Sequence, residues 1–228
     1  MQRIRKGLYL LESGGFVNAY LIEGPRGLTL VDTTTAKTAQ ALVDEIASGG
    51  FALGDIEQIV ITHRHHDHSG GAAFILDRRR VRILAHAADI PALCGQSEPA
   101  RGAARRLRSF IEKMWFPYRP LEVVVPVDQS QPLRPLPSWQ VMHTPGHTPG
   151  SISLYQPTDR VLICGDALGN REGKLSLSPA HYNDDTAGAA QSARKLSLLP
   201  CEVLCCGHGP VIRAGADRAI HAVVESFG

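Results

Sequence analysis

Residues 62–71 read THRHHDHSGG. Four histidines and one aspartate fall within six consecutive positions, His63 to His68, in a chain with 10 histidines among 228 residues. The stretch Ile59 to Thr62 is β-branched throughout, so the cluster is predicted to begin where a buried strand ends. In a segment leaving a strand, side chains two apart face the same way, which aligns His63 with His65. Asp67 and His68 follow in the turn, and His66 points elsewhere. Neutral imidazoles and carboxylates are ligands for zinc, iron or manganese, so this turn can serve one or two ions. A solvated histidine run is the plain alternative.

Further along, His147 lies in HTPGHTPGS, Asp166 in LICGDALG and His208 in LCCGHGP, each after a predicted strand. Taken singly, either histidine is an ordinary turn residue and Asp166 an ordinary helix cap. Taken together with the first cluster, they supply five histidines and two carboxylates, enough for two ions with a position left for water.

The rest of the chain is ordinary for a globular protein: 43% hydrophobic and 20% charged residues. A net charge of +2 argues against nucleic acid or a membrane surface as the main partner. No stretch approaches the ~18 apolar residues of a transmembrane span, and the start has too short an apolar run for a signal peptide. Five cysteines without regular spacing make no disulfide framework, so a reduced, cytoplasmic protein is expected.

Apolar runs at 20–22 and 28–31 flank Gly24-Pro25-Arg26-Gly27 and predict a hairpin. Helical spacing is predicted over 36–48, about 70–79, 103–116, 186–198 and 216–226. Strands are predicted at 81–85, 122–127, 139–143, 150–155, 160–165 and 202–206. No repeat or linker divides the chain, so residues 1–228 are read as a single domain of sheets with helices on their outer faces.

On the strength of Asp32 in LTLVDTT, the H-x-H-x-D-H stretch from His63 to His68, and His147, Asp166 and His208 in order, the sequence resembles the metallo-β-lactamase superfamily from Asn18 to about Pro210. The resemblance implies an α+β fold, an αββα sandwich with metals at one edge of the two sheets. It implies that His63, His65 and His147 hold a first ion and that Asp67, His68 and His208 hold a second. Asp166 would bridge them, and Asp32 would stand behind the ligands and orient them; a plain turn cap is the alternative for Asp32. His66 falls on a variable position. Two divalent ions are therefore expected, zinc first, with iron or manganese as alternatives. A water shared between them would be available as hydroxide at neutral pH to cleave an ester, lactone or thioester. Asp67 would hold that nucleophile and pass its proton to the leaving group.

The resemblance also narrows the branch. A bridging aspartate matches the glyoxalase II, lactonase and phosphodiesterase branches, whereas true β-lactamases carry cysteine or serine there. Only 20 residues follow His208, too few for the helical domain of glyoxalase II, and the segment HGP lacks that enzyme's tyrosine. Gly169 stands where lactonases place a tyrosine; Tyr118 or Tyr182 can take its place. Intervals of 18 residues (148–165) and 41 residues (167–207) leave no room for nuclease modules. The 78 residues between His68 and His147 contain RGAARRLRSFIEKMWFPYRP, read as a helical insertion around 100–120. Either it is a lid, with Trp115 and Phe116 over the metals and its arginines drawing in an anionic small molecule, or it is a surface helix. Arg171 and Lys174 can clamp a carboxylate or phosphate, or belong to an ordinary charged loop. Cys164, Cys205 and Cys206 are read as small core hydrophobes. The rival function is a mononuclear-iron oxidoreductase like the superfamily's persulfide dioxygenases. The oligomeric state is not fixed by the sequence.

Overall fold

The computed structural model describes residues 1–96, 118–129 and 132–227. Strands β1 (Gln2–Arg5), β2 (Leu8–Leu11), β3 (Ala19–Gly24) and β4 (Gly27–Val31) form an antiparallel meander. The chain then changes habit. β4 runs parallel to β5 (Ile56–Val60), β5 to β6 (Arg82–Ala85), and β6 to β7 (Val125–Pro126), completing a seven-stranded sheet. Parallel neighbours need a crossover that returns the chain to the starting edge. Helix α1 (Ala39–Ser48) supplies the first; α2 (His66–Ser69) and α3 (Ala72–Leu76) supply the second. A short α4 (Ile90–Leu93) follows β6.

The second sheet has four strands in the order β13-β10-β9-β8: β8 (Gln140–His143), β9 (Ile152–Gln156), β10 (Val161–Gly165) and β13 (Val203–Cys206). A separate hairpin, β11 (Gly169–Arg171) and β12 (Lys174–Ser176), lies between β10 and helix α5 (Thr186–Ser197); α6 (Ala216–Glu225) closes the chain.

Strand periodicity divides the apolar residues into three cores. Tyr20, Ile22, Val31 and Val60 face Leu154, Val161, Ile163, Val203 and Cys205 between the sheets. Their sequence neighbours Leu21, Leu30, Ile59 and Ile61 point outward and bury Leu42, Ile46 and Ile75 of α1 and α3. On the far side Leu162, Cys164, Leu204 and Cys206 meet Ala193, Leu196 and Ile220 of α5 and α6. The molecule is thus an αββα sandwich. Its strands read as continuous hydrophobic runs because both faces of each central strand are covered.

The direction of the strands places the site. β4, β5 and β6 run parallel, and β8 shares the direction of β10 and β13 because each is one reversal away from β9. The loops leaving β4, β5, β8, β10 and β13 therefore meet at one edge. Two backbone bonds stitch the sheets together there, Ile152 N–H to Thr62 O (2.9 Å) and Asn18 N–H to Gly207 O (2.8 Å). The helix expected over 70–79 covers only 72–76, preceded by the short α2. The β1–β2 and β11–β12 hairpins were not foreseen. The helix expected over 103–116, with Trp115 and Phe116, lies outside the described residues.

Candidate metal centre

Asp32 leaves β4 with φ of 61°, a conformation that aspartate tolerates better than bulkier residues. Both oxygens of its carboxylate are engaged. Oδ1 accepts the Thr62 N–H at 2.8 Å, and Oδ2 accepts the Thr62 hydroxyl at 2.8 Å and His68 Nδ1–H at 2.8 Å.

This assigns protons through the cluster. The Thr62 hydroxyl is spent on Asp32, so it accepts from His63 Nδ1–H at 3.1 Å. His208 Nδ1–H donates to the Phe16 carbonyl at 2.8 Å. Asn183 Nδ2 donates to Ser178 O at 3.1 Å, which turns Asn183 Oδ1 toward His147 Nδ1–H, 3.1 Å away. In the neutral ring a proton on Nδ1 leaves a lone pair on Nε2. Four imidazoles thereby turn Nε2 inward and, when neutral, present its lone pair there, the arrangement in which metal-bound histidines are held from behind.

The inward atoms converge on Asp166. Its Oδ2 lies 3.4 Å from His147 Nε2 and 3.2 Å from His208 Nε2, and its Oδ1 lies 3.4 Å from His68 Nε2. His208 Nε2 is 3.4 Å from Asp67 Oδ2 and 3.3 Å from His68 Nε2; His147 Nε2 is 2.9 Å from His65 Nδ1. Three groups have their ligand atoms within 4.8 Å of one another: His63, His65 and His147; His63, His68 and Asp166; Asp67, His68 and His208. Among the described residues, buried His63 Nε2 and Asp166 Oδ1 have no hydrogen-bond partner. A nitrogen–oxygen donor set with facing lone pairs and orphaned buried atoms fits divalent cations of the zinc, iron or manganese type.

The charges agree with this. Burial disfavours charge on His63, His65 and His147 and pushes all three below the ordinary histidine value. For His68 burial is outweighed by Asp166, Asp67 and Asp32, which lift it to about 9. For His208 burial likewise loses to bonds from Asp166 and Asp67, which lift it to about 11. Burial would raise Asp67 and Asp166, yet His68 and His208 hold both well below the usual carboxylate range. The two carboxylates demand positive charge. Protons on Nε2 of His68 and His208 supply it, and metal ions would take their place.

A second set of residues, not singled out in the sequence, fastens the ligand loops. Asp89 is fully buried. It accepts Arg64 N–H (2.9 Å), Gly150 N–H (2.9 Å) and the Thr148 hydroxyl (2.6 Å), and it pairs with the Arg64 guanidinium at 3.3 Å. Arg64 continues to Asp184 at 2.6 Å, whose N–H bonds to His147 O at 3.2 Å. The loop of His63 and His65 is thus tied to the loop of His147 from behind. Asp89 at the start of α4 reads in sequence as a helix cap, so no local signal marks it.

The expected substrate residues are scattered. Arg171 and Lys174 face each other at the exposed tip of the β11–β12 hairpin. Its base is bound to the ligand loop through Asn170 N–H to His208 O, 3.1 Å. Tyr182 sits in the 3-10 turn Ala180–Tyr182, beside Asn183. Tyr118 stacks on His66 at 4.4 Å, which turns His66 away from the ligands. Its hydroxyl donates to the α4 carbonyls of Ala92 and Leu93, so it is engaged away from the centre. Phe16, 55% exposed, stacks parallel to His208 at 5.9 Å and forms an apolar wall that sequence reading passed over.

A set of clustered histidines and aspartates at the edge of an αββα sandwich defines a metallo-hydrolase scaffold. The chain belongs to the metallo-β-lactamase superfamily, whose pattern it matches over residues 13–208. It is 32% identical over 216 residues to the probable metallo-hydrolase YflN of Bacillus subtilis, covering 84% of this chain and 80% of that protein. It is 28% identical over 144 residues to hydroxyacylglutathione hydrolase of Pseudomonas aeruginosa, covering 63% of this chain and 43% of that enzyme. Among solved structures, TTHA1623 in a di-iron-bound form superposes with a TM-score of 0.64 at 28% identity, over 86% of this chain and 88% of that one. The metallo-β-lactamase family protein TTHA1429 of Thermus thermophilus superposes with a TM-score of 0.72 at 22% identity, over 99% and 79%. No helix among the described residues is long and apolar enough to cross a membrane.

Proposed function

We propose that this chain is a dinuclear metal-dependent hydrolase of an ester, lactone or thioester in a small anionic molecule. The observation that carries the reading is Asp166, whose two oxygens reach His147, His208 and His68 and so join two ligand groups into one centre. His63, His65 and His147 would hold one ion, Asp67, His68 and His208 the other, with Asp166 between; zinc suits the donors best, with iron or manganese next. When bound, two such ions bring the pKa of a shared water near neutrality and polarise the substrate carbonyl.

The chain's own residues do the rest. Asp32, Thr62, Asn183 and the Phe16 carbonyl hold the imidazoles in one tautomer. The Phe16 ring offers an apolar face beside His208 for the acyl portion of the substrate. Asp67 is ionised and its side chain is 22% exposed, so its carboxylate can take the proton of the attacking water and return it to the leaving oxygen or sulfur. Arg171 and Lys174 would draw in the anionic group. The complete second ligand group of Asp67, His68 and His208 favours this reading over a one-iron dioxygenase.

The test is a panel of lactones, acyl thioesters, simple esters, β-lactams and phosphodiesters offered to zinc- or manganese-loaded protein, with proton release as readout. Turnover of one acyl class, reduced ~100-fold or more in Asp67→Ala, is expected from the usual weight of general acid–base groups. Thiol-dependent oxygen uptake with no hydrolysis would replace this reading by the iron oxidoreductase.

A further inference from the structure

The strands that end at the metal centre begin at the opposite edge, and there a cleft of about 370 Å³ opens between the first sheet and the loop before β8. It is lined by Arg26 of the β3–β4 turn, Glu57 and Gln58 of β5, Arg82 of β6, and Arg134 and Pro135 of the loop before β8. Among the described residues, none of the three arginines makes an ion pair or a side-chain hydrogen bond. Glu57 is the one carboxylate lining the cleft, and it lies 3.8 Å from Arg79 as well. Guanidinium groups from three chain segments therefore share a concave space with one carboxylate, and Arg26 also borders a neighbouring depression lined by Glu23, Asp55 and Glu57. Like charges gathered this way repel one another, and a cleft with low-dielectric walls focuses their field.

Gln58 adds an independent sign. It stands opposite Arg82 in the β5–β6 register and is fully buried. One end of its amide bonds to the Thr29 hydroxyl at 3.2 Å, and the other end has no hydrogen-bond partner among the described residues. A buried amide with an unsatisfied end is costly unless something meets it. Because a hydroxyl both donates and accepts, the Thr29 contact allows the amide to turn. The free end can then be an NH₂ donor, the same character as the guanidiniums around it.

We propose that this cleft binds the phosphoryl group of a small organic phosphate, at a site separate from the metal centre. Arginine forks match phosphate oxygens bidentately, and the volume accommodates a phosphoryl group with part of its carrier. Calorimetric titration of the metal-loaded protein with inorganic pyrophosphate at low ionic strength tests this. Binding is expected, weakened about tenfold by Arg82→Gln or Arg134→Gln, as for loss of a charged hydrogen bond. Arg3→Gln, which removes an equal charge from β1, should leave the affinity unchanged. Absence of binding would overturn the site. So would binding equally strong in Arg82→Gln and Arg134→Gln, which would assign the anion to the metal centre. The outcome does not depend on which bond the metal centre hydrolyses.

Discussion

The most consequential atom in the site belongs to a residue that stands behind the candidate ligands. Asp32 holds a proton on His68 Nδ1, so the neutral form of the ring, the form that binds a metal, presents its lone pair on Nε2. In Asp32→Asn the amide can donate to Nδ1, moving the ring proton to Nε2, where it faces the incoming ion. Metal affinity should fall ~10–100-fold, the usual effect of losing such a partner, with little change in fold. Competition against a chromophoric chelator measures this; an unchanged affinity would leave Asp32 as a turn cap. Protonation gives a second prediction at this scale. Below a pKa of about 9 for His68 and about 11 for His208, each ring carries a proton that a metal ion must displace. Metal uptake at neutral pH should therefore release on the order of two protons, and apparent affinity should climb as pH rises toward 9. Potentiometric titration at pH 7 during zinc loading reads this directly, and uptake without proton release would contradict it.

Among the elements, α4 and its leading residue Asp89 decide how the loops after β5 and β8 face one another. Gly150 is close enough that an added Cβ would stand 2.5 Å from the Asp89 Cγ. Gly150→Ala should therefore cost ~1–3 kcal/mol, the range for overpacking a filled interior, and lower the melting temperature. Asp89→Asn should be harsher on the site, since it removes the buried charge that pairs with Arg64 at 3.3 Å. Loss of one metal equivalent by elemental analysis, with circular dichroism preserved, is the expected signature; full metal content would remove Asp89 from the positioning role. None of this was visible in the sequence. Arg64 and Asp184 are 120 positions apart, and each alone looks like a surface charge. The ligand loops were readable because each pairs a β-branched or apolar strand with a histidine or aspartate immediately beyond it. The β11–β12 hairpin was not, because Gly169–Arg171 and Lys174–Ser176 are three residues each and carry no apolar alternation.

For the molecule as a whole, the metal centre is also a clasp. Its candidate ligands come from loops of both sheets, whose direct backbone bonds at that edge, among the described residues, are the Thr62–Ile152 and Asn18–Gly207 pairs described above. Ions bound a thousandfold above their dissociation constant would add ~4 kcal/mol to folding stability. Stripping with a chelator should lower the melting temperature by several degrees, and less in Asp32→Asn than in wild type, because weaker metal binding leaves less stabilisation to lose. Equal melting curves with and without chelator would show that the sheets hold together unaided.

The sequence by itself determined the layers and the chemistry. Continuous apolar strands require cover on both faces, helical runs between them supply it, and five histidines with two aspartates placed just after strands specify a metal-binding edge. These are local properties, set by periodicity and by what one residue type can do. Only the tertiary structure decided which nitrogen of each imidazole faces inward, which carboxylate stands at the centre, and that Tyr118 turns its hydroxyl to α4 while Phe16 walls His208. It also brought Arg26, Arg82 and Arg134 around one cleft. Those outcomes depend on hydrogen bonds and charges between residues far apart in the chain, and such partners become neighbours only when the two sheets close on each other.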